Sequence, residues 1–373
     1  MKPKTRPARR SAGGKQLKEP DLARASIPGP TRWLKSKSFA SALGDENVAL
    51  IFNDNLALFT MSTDSPIIFL DGGLGTSLED KYGVKFSNKL TPLWSSDPVI
   101  TAPETLLACQ RDFGLAPVDV IETATYQVSI HGFAATKTPQ WPNGIDRASI
   151  PKFLKDAVDI ADQARGNPNA KIALSLGPYG STMVPGQEYS GAYDEARNSE
   201  EKLLAWWAER LALFNGDDIM SRISYVACET IPRLDEISAV RKAVADFTST
   251  PCWIACVFPG EGDNLPDGSS IDQVIEAMLL PDAAKVQPWG IGINCTKIHK
   301  LESLIEKFED AVTRLLKDGR LASWPALVLY PDGTNGEIYN TTTQKWELPA
   351  GLAKQSATEV EHDSGRWLLQ SKP

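Results

Sequence analysis

From Ser65 onward the chain alternates short apolar runs with longer stretches of helical periodicity. The runs Ile67–Leu70, Val118–Ile121, Lys171–Leu176, Tyr225–Ala227, Cys252–Val257, Gly290–Ile293 and Ala326–Tyr330 each predict a buried parallel strand. They are largely β-branched or apolar throughout, as strands covered on both faces must be. Between them, Pro103–Phe113, Ser149–Arg165, Ser199–Phe214, Arg233–Asp246 and Ile298–Lys317 predict helices. Seven strand–helix alternations without a reversal predict an α/β fold, a (β/α)8 TIM barrel, in which the eighth strand is not visible.

The polar residues fall where such a barrel would need them. Asp71-Gly72-Gly73, Glu122 to Tyr126, Gly177 to Gly180, Glu229-Thr230 and Asn294-Cys295 all follow the carboxyl ends of predicted strands. In a barrel those ends converge on one mouth, where the active site lies. Gly, Pro and Asn terminate strands in any protein. That explains the glycines, but not Asp71, Glu122, Glu229 and Cys295 together.

Composition fits a globular enzyme: of 373 residues, 42% are hydrophobic and 23% charged, enough for one large α/β domain with extensions. The longest apolar stretch, Asn47 to Met61, is short for a membrane helix and is broken by Asn53-Asp54-Asn55. Five scattered cysteines and no secretory signal predict a reducing, cytoplasmic setting. Residues 1–38 concentrate Lys and Arg against only Glu19 and Asp21, while the whole chain carries a net charge of −8. Residues 1–64 therefore read as a basic, disordered extension. It is a solvated tail or upstream sequence, or else a mitochondrial leader or polyanion-binding arm. The acidic body argues against nucleic acid as a partner. No heptad or apolar helix stripe reports an oligomer.

Six segments in order resemble the homocysteine S-methyltransferases, a family of zinc-dependent barrels: Leu70–Glu79, Leu93–Leu106, Asp119–Phe133, Ser175–Ser181, Ala227–Pro232 and Gly292–Thr296. The resemblance runs from about Ile67 to about Trp346. It is nearest to the branch using S-methylmethionine or S-adenosylmethionine, and nothing like a folate or cobalamin module accompanies it. It implies methyl transfer from a sulfonium donor to L-homocysteine, giving methionine. A thiol with a pKa of roughly 8.5 is mostly protonated at neutral pH, and zinc coordination makes the thiolate the bound form. The donor expels a neutral thioether, so no general acid is required and no residue is assigned as one.

By that resemblance Asp71 and Glu229 bind the homocysteine ammonium, backbone at Gly72 and Gly73 approaches the amino acid, and Cys295 is a zinc ligand. Read from the residues alone, Asp71 could instead cap the following helix and Glu229 could form a salt bridge in the mouth. Glu122, Thr125 and Tyr126 read as pocket wall, and Thr76 as ligand contact or helix cap. Cys228, Cys252 and Cys256 read as core. His131 and His299 are incidental candidate ligands.

The sequence departs from the family at one point. The family's other two zinc ligands are an adjacent cysteine pair ending the eighth strand, whereas no cysteine follows Cys295 here. Residues 65–346 are therefore expected to form a homocysteine-binding methyltransferase barrel lacking its final strand and helix. Residues 347–373 are expected to be an atypical disordered tail, and zinc binding to be poor. Two functions follow as expectations: the methyltransferase itself, or an impaired homologue that retains a homocysteine-type pocket.

Overall fold

Leu70 touches Val120 through a single parallel bridge and opens an arc of strands that follow one another in chain order. The computed structural model describes residues 67–87, 91–116, 118–280 and 286–332, and the backbone of short strands at 47–52, 55–60, 338–340 and 345–347. Within it, β1 (Val120–Glu122), β2 (Lys171–Leu176), β3 (Tyr225–Ile231), β4 (Cys252–Cys256), β5 (Gly290–Lys297) and β6 (Ala326–Asp332) form one parallel sheet. Helices α1 (Leu74–Asp80) and α2 (Pro103–Leu115) precede β1, and α3 (Ile150–Ala164), α4 (Glu200–Leu211), α5 (Leu234–Phe247), α6 (Ile271–Leu279) and α7 (Leu301–Lys317) lie between successive strands. This is an α/β half-barrel, the parallel architecture that the apolar runs predict.

Alternate strand residues point to opposite faces, and that parity sorts the core. Ile121, Leu174, Val226, Cys228, Ile254, Cys256, Ile291 and Ile293 pack with the helices, so Cys228 and Cys256 are core residues. Val120, Ala173, Tyr225, Ala227, Trp253, Ala255 and Val328 form a separate cluster on the inner face. One step of two residues further along, Glu122, Ser175, Glu229, Asn294 and Tyr330 continue the same inward rows at the carboxyl ends. Parity thus gathers the polar side chains into one layer.

The helices supply the outer wall by ordinary amphipathic spacing. In α7, Leu301, Leu304, Ile305, Phe308, Ala311, Val312 and Leu315 are buried at three- and four-residue intervals. Helix α6, which the apolar runs do not single out, starts at a reciprocal capping box between Ser270 and Gln273.

Two differences from expectation concern the strands. Ile67–Leu70 does not form a full strand: Ile68 and Phe69 are exposed, and pairing is limited to the Leu70 bridge and backbone bonds at Phe69 and Asp71. Without a cover over Ile68 and Phe69, the segment lacks the two-sided burial that supports the other strands. By contrast β3 and β5 run on to Ile231 and Lys297, each through a register shift. Among the described residues β6 pairs only with β5, and the 338–340 and 345–347 strands form their own antiparallel pair. No eighth parallel strand closes the arc there.

The remaining parts of the expected extension and tail, 1–64 and 347–373, lie outside the described residues, apart from strand backbone that includes an antiparallel pairing of Asn47–Phe52 with Asn55–Thr60. Among the described residues no helix is long and apolar enough to cross a membrane.

Gly292 fixes the spacing of β5 and β6. A Cβ there would lie 2.1 Å from the Val328 carbonyl oxygen, a backbone atom that cannot swing aside. Gly292→Ala is expected to destabilise the fold by about 1–3 kcal/mol, read as a lowered denaturation midpoint.

Candidate active site

The strand ends bring three carboxyl groups together. Asp71 Oδ2 accepts the Glu122 backbone N–H at 2.9 Å, which ties the first turn to β1. Glu229 Oε1 accepts the Ser175 hydroxyl at 2.5 Å, and the Tyr330 hydroxyl bonds the same carboxyl group. Trp253 Nε1 in turn donates to the Tyr330 hydroxyl at 3.1 Å. Glu122 leaves Oε1 buried without a hydrogen bond.

Burial dominates the electrostatics of this group. It raises Asp71 to about 7, with the Glu229 charge pushing the same way and the Glu122 N–H pulling back. Burial also raises Glu229 to about 7, against the opposing hydrogen bonds from Ser175 and Tyr330 and the charge of Arg210. Glu122 is raised well above the ordinary range by burial and by both neighbouring carboxylates. Such a site holds negative charge reluctantly until a cation arrives. Among the described residues neither Asp71 nor Glu229 forms an ion pair with a Lys or Arg, so Glu229 is not committed to a salt bridge within the mouth.

Geometry also bears on the neighbouring residues. Helix α1 is capped by Gly73, with no side-chain bond, so Asp71 is not its cap. Thr76 lies inside α1 and is not a cap either. A Cβ on Gly72 would come within 2.8 Å of the Phe113 ring, which explains a glycine there by packing. Gly73 is exposed beside Thr76. His131 and His299 are exposed. Thr125 is fully buried and donates to the Ser175 carbonyl at 2.7 Å, supporting the wall from behind.

Cys295 occupies a second part of the mouth. Both it and Thr230 adopt left-handed backbone, φ 47° and 62°, a conformation that costs non-glycine residues energy and recurs at functional sites. Asn294 locks the two turns: its Oδ1 accepts the Thr230 N–H at 2.8 Å, and its Nδ2 donates to Thr230 Oγ1 at 2.7 Å. Thr230 Oγ1 also lies 3.8 Å from Cys295 Sγ, Asn294 Nδ2 lies 3.4 Å from it, and the Tyr189 hydroxyl bonds it. The Tyr126 and Thr230 hydroxyls are hydrogen-bonded as well. Burial, with the Glu229 charge next, pushes the Cys295 thiol up to about 12.

Among the described residues, that environment does not make up a zinc site. Cys295 is surrounded by hydroxyls and an amide, and the described residues contain no cluster of three or more His, Cys, Asp or Glu able to hold a metal ion. A zinc site wants three or four nitrogen, thiolate or carboxylate ligands.

Several contributors escaped the sequence reading: Ser175, Tyr330, Tyr189, Glu188 and Arg210. Strand parity from Ala173 and Val328 would have placed the first two. Arg210, 2% exposed on α4, donates to the carbonyls of Val128 at 2.8 Å, Gly177 at 2.5 Å and Tyr126 at 2.6 Å, knitting together two loops of the mouth. No local pattern announces that role.

A parallel half-barrel with buried carboxylates at its strand ends defines an enzyme-type site. The family comparison narrows that class: the homocysteine S-methyltransferase family model matches residues 68–360, and the chain belongs to that family. The homocysteine S-methyltransferase YbgG of Bacillus subtilis is 28% identical over 316 residues, covering 82% of this chain and 89% of YbgG. A selenocysteine Se-methyltransferase of Brassica oleracea is 28% identical, covering 80% of this chain and 83% of its own length. Among solved structures, the metallated form of the homocysteine methyltransferase MmuM from Escherichia coli aligns with a TM-score of 0.56 at 26% identity. That alignment covers 75% of this chain and 88% of MmuM.

Proposed function

We propose that this chain binds L-homocysteine and transfers to it a methyl group from a sulfonium donor, S-methylmethionine or S-adenosylmethionine, forming methionine. The observation that carries this reading is the pair of carboxyl groups of Asp71 and Glu229, neither in an ion pair, at the mouth of a barrel of this family. The substrate ammonium supplies the countercharge that the protein withholds, and its N–H donors suit carboxylates already oriented by Glu122 N–H and Ser175. Held so, the homocysteine sulfur attacks the donor methyl in line. The S–CH3 bond of the sulfonium breaks, the electron pair stays on the leaving thioether, and the thiol proton is released. Proximity and alignment carry much of such a reaction.

A second reading follows from the sequence, in which no cysteine comes after Cys295: a protein that keeps the homocysteine pocket without the metal chemistry of its relatives. The experiment pairs metal analysis with turnover. Purified full-length chain is assayed for zinc per polypeptide, homocysteine binding, and methionine formation with each sulfonium donor. Turnover with stoichiometric zinc is the result expected of the first reading and would mean that Cys295 finds co-ligands outside the described residues. Homocysteine binding without zinc or turnover would establish the second, and loss of homocysteine binding itself would sink both.

A further inference from the structure

The loop that follows β2 carries a carboxylate that the homocysteine pocket does not use. Glu188 is 8% exposed, and its Oε2 is buried without a hydrogen-bond partner. Backbone crowds it: a Cβ on Gly186 would lie 2.5 Å from that oxygen, and one on Gly180 would lie 2.8 Å from the Glu188 nitrogen. The loop is built to hold this position. Gln187 N bonds the Gly180 carbonyl at 2.9 Å, and Arg233 Nη1 bonds the Gly191 carbonyl at 3.0 Å. Glu236 accepts the Tyr179 N–H at 2.7 Å and also takes the Tyr193 hydroxyl.

Glu188 is close enough to Tyr126 and Tyr189 for its charge to disfavour both phenolates, and neither phenol bonds it. Those same tyrosines reach the Cys295 turn, Tyr189 through the sulfur itself and Tyr126 through Thr230. A buried carboxylate oxygen with no partner, one residue before the tyrosine that bonds the Cys295 sulfur, is an incomplete arrangement, because buried charges are ordinarily paired. An ammonium or guanidinium ligand would complete it by hydrogen bonding. A sulfonium would complete it by charge alone, since it has no N–H or O–H to donate, and aromatic faces attract such cations.

We propose that Glu188, with Tyr126 and Tyr189, seats the sulfonium centre of the methyl donor. This rests on the functional reading above and adds the donor's own binding site. The Tyr189 bond to the sulfur ties this loop to Cys295, whereas the acceptor ammonium is assigned to Asp71 and Glu229. The two charges would therefore be held by separate carboxylates. When the methyl leaves, the sulfonium becomes a neutral thioether and the attraction that held it ends, which favours release.

The test titrates S-methylmethionine calorimetrically into the full chain with methionine present at saturation to fill the acceptor pocket. Homocysteine affinity and thermal stability are measured in parallel. Glu188→Gln keeps the shape and removes the charge. It is expected to weaken S-methylmethionine by about tenfold or more, with homocysteine affinity and folding retained and Glu188→Asp intermediate. Equal donor affinity in the wild type and Glu188→Gln would overturn the assignment, as would an equal loss of homocysteine affinity or no donor binding by the wild type. Homocysteine failing to bind while the Glu188→Gln effect on the donor persists would overturn the acceptor reading and leave the donor seat standing.

Discussion

Replacing Arg210 by methionine is expected to lower the melting temperature by about 10 °C and to abolish ligand binding at the mouth. The buried guanidinium lies over Trp206 and Trp207, with centroid distances of 5.1 and 5.3 Å, and its donors reach the carbonyls of Val128, Gly177 and Tyr126. Methionine fills comparable volume but offers no donor, so several buried carbonyls lose partners at once. Each orphaned group costs about 1–3 kcal/mol, and partial relaxation brings the total to roughly 3–5 kcal/mol. Burial lowers the Arg210 pKa to about 10, so the side chain remains charged at neutral pH. Lysine at this position is expected to rescue little, because a point ammonium cannot span the three directions of the guanidinium fork. Thermal denaturation of the three proteins checks the order wild type, then lysine, then methionine. A methionine variant within about 1 °C of wild type would show that the carbonyls are satisfied in some other way.

Glu229→Gln is expected to weaken homocysteine by about 30-fold or more, because removing one member of a buried charge pair costs about 2–5 kcal/mol. The same substitution should leave the unliganded protein as stable or more stable at neutral pH. The sign follows from the raised pKa values. Asp71 and Glu229 are held at about 7, above the ordinary carboxylate range, by burial. The unfolded chain releases those protons at lower pH than the folded one. Their contribution to stability is therefore fully present below the unfolded values and is lost as the pH rises through about 7. A bound ammonium reverses the balance by favouring the ionised carboxylates. Homocysteine should bind more tightly as the pH rises from about 5 to about 8, with proton release at the acid end, and the rise should flatten in Glu229→Gln. Calorimetry across that range reads both effects. Affinity independent of pH in the wild type would remove the two carboxylates from ammonium recognition.

The sequence carried the strand centres well because two-sided burial leaves little room for polar residues. Lys171–Leu176, Cys252–Cys256 and Ala326–Asp332 nearly coincide with the expected runs. Strand ends were less legible. Tyr225–Ile231 continues through Glu229 and Thr230, and Gly290–Lys297 through Cys295, because Asn294 hydrogen bonds hold left-handed turns that no local propensity favours. The acidic residues of the site were visible as polar breaks at strand termini. Their supports were not: Ser175 and Tyr330 look like ordinary strand residues until parity is traced. Arg210 looks like a surface residue of an amphipathic helix until its loop partners are known. Glu188 lies in a loop rich in Gly, Pro and Ser whose course depends on distant contacts to Glu236 and Arg233.

The two ends of the mouth are anchored to different depths. Glu229 is tied through Tyr330 to Trp253, a side chain of the inner core, so any change in how an amine is held must also repack the middle of the sheet. Glu188 hangs from a surface loop fastened to one helix start. Over generations of substitution the two halves would drift at unequal rates, with acceptor recognition nearly frozen and the loop beside Cys295 free to explore new cations.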